Sequence, residues 1–107
     1  MKQPLRITID PICSLGYIEY LEQNEWVHTG RLLRCEDGTV AIYRNSQRRD
    51  EPTGVHVDLT DDDDVVALEI ISVDEPEFVA IARDYATQRG LAFPDDVRAA
   101  AARDPAA

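Results

Sequence analysis

The stretch from Val65 to Val73 constrains this chain more than any other, because only Glu69 and Ser72 interrupt nine otherwise apolar residues. A run of this length with no alternation predicts a strand covered on both faces, in the middle of a sheet. The chain must then supply strands on either side and a layer to lie over the result. Glu69 is the one charge in the run. A carboxylate on a central strand needs an arginine or backbone donors as partners. The sharper alternative is a pocket carboxylate acting as acid or base.

The flanking strands are legible. Leu5, Ile7 and Ile9 alternate with Arg6, Thr8 and Asp10, and Asp10-Pro11 ends the strand because proline lacks a donor. Gly16 opens Tyr17–Glu22, rich in aromatic and branched residues. The segment from Trp26 to Cys35 predicts a strand with a bulge or break at Gly30. Asp37-Gly38 predicts a type I′ hairpin turn, with Thr39–Tyr43 as the return strand. Residues 44–54 contain no aliphatic or aromatic residue and read as the longest loop. Val55, Val57 and Leu59 alternate with His56, Asp58 and Thr60 in a further strand, and Asp61–Asp64 form the turn into the central one.

A helix follows. Asp74 is placed to cap it, Pro76 suits its first turn, and Glu75 and Glu77 sit where the helix dipole favours acids. Phe78, Ile81, Ala82, Tyr85 and Ala86 make one apolar stripe, and Arg89-Gly90 makes the ending. Leu91-Ala92-Phe93 should pack back on the body. Pro94-Asp95 starts a short, marginal second helix through Arg103. The expected fold is α+β. It is a small antiparallel sheet of about five to six strands with one C-terminal amphipathic helix packed on it and the short second helix beyond. Residues 1–94 form one β-rich domain with its helix near 75–89, and 95–107 form a terminal helix or tail.

Two segments together resemble the small bacterial domains grouped as DUF2283. One is Ile7-Thr8-Ile9-Asp10-Pro11 through Leu15-Gly16-Tyr17-Ile18. The other is Val57-Asp58-Leu59 through Asp61–Asp64 to Val66-Ala67-Leu68-Glu69-Ile70-Ile71. The resemblance covers residues 5–73 with an insertion. This chain departs from the family pattern at Ser14 and Leu15, where an acidic residue is usual. It departs again at the acids near Asp63 and Asp64, where the hairpin glycine stands, and at Ala67, where a glycine is common. The likeness implies a compact β-rich domain and no particular activity.

The formal net charge is −10 over 107 residues. Residues 1–54 carry seven basic and eight acidic residues, net −1, and residues 55–107 carry four and thirteen, net −9. That balance argues against direct nucleic-acid binding and against anionic membranes, and it permits a basic partner, a cation or plain solubility, the last being the plainest reading. No apolar stretch is long enough to span a membrane and no signal core follows Met1, so a cytoplasmic protein is expected. Cys13 and Cys35 read as two reduced core thiols. No phosphate loop, nucleophile elbow or other cofactor motif is present, so no cofactor is expected.

Several constellations remain. Asp58, Thr60, Asp62, Asp64 and Glu69 match alternate positions of a calcium-loop template, but Asp63 stands where that loop needs glycine and the flanks read as strands. A solvated acidic turn is the plainer reading, and the same turn, Asp61, Asp62, Asp63 and Asp64, is the interaction candidate. Acid clustered with Asp74, Glu75 and Glu77 on one face would suit a mimic or inhibitor of a basic protein. Arg31, Arg34, Arg44, Arg48 and Arg49 form a local basic patch able to meet an acidic surface, including that of a second copy. Trp26, Tyr17, Tyr20 and Tyr43 lie on strands, and any exposed on an open sheet would mark an interface. The leading expectation is a non-enzymatic protein-binding or regulatory module, as a homodimer. The alternative is a small enzyme or ligand-binding domain with a pocket between sheet and helix, around Glu69 or His56 with Tyr17 or Tyr20.

Overall fold

A computed structural model describes residues 1–22, 27–43 and 54–103. Six strands, β1 (Arg6–Ile9), β2 (Gly16–Glu19), β3 (His28–Arg34), β4 (Val40–Tyr43), β5 (Val55–Leu59) and β6 (Val65–Ile70), precede α1 (Pro76–Gln88) and α2 (Val97–Arg103). All pairings are antiparallel, in the order β1-β2-β6-β5-β3-β4. This is the α+β fold the periodicity predicts. The apolar run becomes β6, hydrogen-bonded to β2 on one side and β5 on the other.

One face of the sheet carries Ile7, Ile18, Leu32, Val55, Val57, Leu68 and Ile70. It is closed by Ile81, Ala82, Tyr85 and Ala86 of α1 and by Val97 and Ala101 of α2. Each large aliphatic side chain removed from water there contributes about 1.5–3 kcal/mol. Leu91 is buried behind α1, as its sequence position suggests, and its backbone bridges Lys2 in parallel fashion. Ala101 joins Val97 in the core, so α2 is anchored at two points rather than one.

The local chemistry departs from expectation at several points. Leu5 is 55% exposed, because β1 begins only at Arg6. β3 runs without a break through Gly30, which lies opposite Val57. A Cβ at Gly30 would come within 2.5 Å of Ile42 Cγ2, so close packing, not a bulge, demands glycine. The register shift sits instead between Asp58 and Leu59, which face Ala67 and Val65 and leave Val66 as the extra residue.

The turn at Asp37-Gly38 is not type I′, because only Gly38 has positive φ (+90°). The Gly38 N–H donates to Cys35 O and the Cys35 N–H to Thr39 O, as in a three-residue hairpin loop ending on a left-handed glycine. The cap of α1 is Glu75, whose side chain makes no capping bond; Asp74 is engaged elsewhere. Asp96 serves α2, its carboxylate accepting from the Ala99 N–H. Cys13 is exposed, not a core thiol, and both cysteines are free.

β4 lies at one end of the strand order. The side-chain amide of Gln88 receives the Val40 N–H (2.9 Å) and donates to the Val40 carbonyl (3.0 Å). It occupies the place a neighbouring strand's peptide group would take.

Candidate functional site

The two helices cover one face of the sheet, and the alternation of β-strand side chains sends another set of residues to the opposite face, left open by the helices among the described residues. The registers align these residues in rows. Tyr17, Glu69, His56, Arg31 and Tyr43 lie side by side across β2, β6, β5, β3 and β4. Glu19, Ala67, Asp58 and Thr29 make the neighbouring row.

The polar groups of this face are matched locally. His56 Nδ1 and Glu69 Oε1 are 3.3 Å apart. Arg6 lies 3.6 Å from Glu19. The Tyr17 hydroxyl donates to one oxygen of Asp58 (3.1 Å), and Thr29 Oγ1 donates to the other (2.9 Å). Tyr17 is on β2 and Asp58 on β5, so the phenol reaches over β6. The row position it crosses is Ala67, which is 1% exposed although it lies on the open face. A small residue there makes room for the ring. Burial, and then the Asp58 carboxylate, push the Tyr17 phenol up to about 12. Arg31, half-buried in this row, has no ion-pair or hydrogen-bond partner among the described residues.

A second locus is the β5–β6 turn. Thr60 and Asp64 close it through N–H to carbonyl bonding, and the Asp63 N–H donates back to Thr60 O. Asp63 adopts a left-handed φ of 64°. All four aspartates, Asp61–Asp64, are exposed. Asp61 Oδ1 meets His28 Nε2 at 2.6 Å, and the guanidinium of Arg89, the residue that caps the end of α1, donates to the Asp63 carbonyl. Beside the turn, Val27, His28, Thr29, Leu59, Asp61 and Asp63 line an open cleft of about 430 Å³.

The sequence candidates fare differently. The calcium template does not assemble. Asp58 is held by Tyr17 and Thr29, Glu69 faces His56, and among the described residues no group of three His, Cys, Asp or Glu is arranged to hold a metal. Asp63 does take the left-handed conformation the template assigns to glycine, but as part of a β-turn.

Glu69, His56 and Tyr17 do come together, on the open face. Tyr20 does not join them: it is fully buried, its hydroxyl donates to Ala92 O (2.7 Å), and burial raises its pKa. The expected pocket between sheet and helix is filled by apolar side chains, and no polar residue is buried among the described ones.

The two acidic groups separate. Asp61–Asp64 precede β6 and Asp74–Glu77 follow it, roughly 20 Å apart along a six-residue strand. Asp74 is taken up by Arg98, whose Nη2 lies 2.7 Å from Oδ1, and by the Ser14 hydroxyl, which donates at 2.9 Å. Arg98 and then Ser14 hold the Asp74 carboxyl below its ordinary range.

Arg34 leaves the basic patch to bind Asp84 (2.6 Å) and Glu77 (3.6 Å) of α1. Trp26, Arg44, Arg48 and Arg49 lie outside the described residues. Sequence reading missed the Asp74–Ser14–Arg98 cluster and the Tyr17–Asp58–Thr29 chain, since both join strands or helices far apart along the chain.

No protein-family model, curated protein or solved structure matches this chain. No helix among the described residues is long and apolar enough to cross a membrane.

Proposed function

We propose that this chain is a non-enzymatic protein-binding module, similar to the DUF2283 domains, that works in the cytoplasm and engages a basic segment of its partner. The observation that carries this reading is the β5–β6 turn, where Asp61 and Asp63, two of four consecutive exposed aspartates, line a cleft together with Val27 and Leu59. A lysine or arginine side chain suits such a place, with its aliphatic stem against Val27 and Leu59 and its charge among the carboxylates. Because the acids at Asp74 and Glu77 lie beyond the other end of β6 and are themselves ion-paired, the reading narrows to a local contact rather than mimicry by a broad acidic surface.

The test is a quantitative pull-down of the tagged chain from lysate of its source, beside a variant with Asp61–Asp64 changed to asparagine. A stoichiometric partner that is lost in the variant, and weakened by added salt, supports the reading. A partner retained by the variant, or none at all, overturns it.

A second reading keeps its place because Glu69, His56 and Tyr17 adjoin on the open face: a ligand site built on that row. Ligand-induced shifts of the His56 ring resonances that are abolished in Glu69→Gln would support it. Ligands that leave those resonances unmoved would count against it.

A further inference from the structure

The central row of the open face reads, in spatial order, Thr8, Tyr17, Glu69, His56, Arg31, Tyr43. From Tyr17 to Tyr43 it is complementary to its own reversal, and Thr8 on β1 overhangs. Turned over about β5, Glu69 falls on Arg31, Tyr17 on Tyr43 and His56 on itself. Toward the Ile70 end two apolar residues flank Gly54 of the axis strand, which is itself buried against Phe78 of α1. There the Ile71 N–H donates to Gly54 O, which extends the β5–β6 ladder by one step. Ile71, 42% exposed, stands one strand to one side of β5, and Leu33, paired with Ala41, one strand to the other. Turned over, Ile71 falls on Leu33.

We propose that the open face is a docking surface for a second copy of this chain, related by a two-fold axis running along β5, with Arg31 of each copy paired to Glu69 of the other. Charge complementarity carries the choice of occupant. Arg31 is the half-buried cation that no described residue satisfies, and Glu69 uses one oxygen on His56 and is 37% exposed. Asp58 lies near the axis in the next row, so the two copies' Asp58 carboxylates oppose the pairing, and their bonds to the Tyr17 and Thr29 hydroxyls soften that cost without removing the charge.

Packed sheets cross at about 30°. At one strand spacing of about 4.8 Å from the axis, that displaces Arg31 from the facing Glu69 by about 2.5 Å, within reach of an arginine side chain. Turned over about β5, β1 has no facing strand, so five strands about five residues long meet over about 400 Å² per copy. A total of about 800 Å² belongs with weak, transient contacts, so the pair is a reversible, salt-sensitive dimer rather than an obligate one. It is a property of the pure protein and does not rest on the basic-partner reading.

Sedimentation equilibrium on the purified full chain tests it. Arg31→Glu and Glu69→Arg should each weaken the dimer at least about tenfold, since each sets like charges face to face. The double variant should recover it. An equimolar mixture of the two single variants should form mixed dimers, because both contacts of such a pair join opposite charges. Circular dichroism confirms that each variant folds. A wild-type chain that stays monomeric across the concentration range overturns the proposal. So does a dimer indifferent to both single reversals, or a double variant that folds but stays apart.

Discussion

At Tyr17 a phenol spans a strand to reach Asp58, and Ala67 is small beneath it. Tyr17→Phe should cost about 1 kcal/mol in urea unfolding, because it removes one hydrogen bond to a charged acceptor on a partly solvated face. Ala67→Leu should cost more, about 1–3 kcal/mol, because the added atoms displace the ring. If Ala67→Leu unfolds at wild-type urea concentrations, the ring does not lie where the bond places it. The same phenol gives a pH prediction. Its folded pKa is raised to about 12, so its contribution is fully present below the ordinary tyrosine value near 10 and is lost as pH rises from there through about 12. Ultraviolet titration of the folded protein should show a tyrosine titrating at about 12 that is absent from Tyr17→Phe, while the buried Tyr20 stays late in both. The sequence offered Tyr17 as an aromatic on a strand and Asp58 as a metal ligand. Nothing local could join them, because the bond between them spans 41 positions of chain and depends on the order β2-β6-β5.

Among the elements, α2 has the least behind it: seven residues, with Val97 and Ala101 its buried side chains. Isolated helices of that length do not persist in water. The clasp of Arg98 on Asp74 and Ser14 ties it to the ends of β6 and of the β1–β2 loop. Asp74→Asn should therefore speed hydrogen exchange of the α2 amides more than those of β6, a difference read directly by mass spectrometry. The folded carboxyl titrates below its ordinary value, so the clasp is intact above that value and is lost as pH falls through the folded one. Equal acceleration in both elements would show that the cluster does not act on α2 in particular.

Element by element, the strands were legible because their alternation has a period of two and the helix because its stripe has a period of 3.6. β6 was legible for the opposite reason, the absence of alternation. What escaped was contact chemistry. Asp74 satisfies every local rule for a helix cap, yet an arginine 24 residues later claims it. Gly30 carries the mark of a bulge, yet it is there because Ile42 leaves no room for a Cβ.

For the whole molecule, the amide of Gln88 on Val40 has a consequence for how many copies can join. A chain of subunits linked strand to strand needs two usable ends on every subunit, as a train needs a coupling at each end of a carriage. With the β4 end stopped by a side chain, strand addition could proceed only from β1, and one coupling per subunit closes at two. For strand-to-strand addition, a sheet with one usable edge gives counts that terminate. Removing one glutamine amide would be the change that lets them run on.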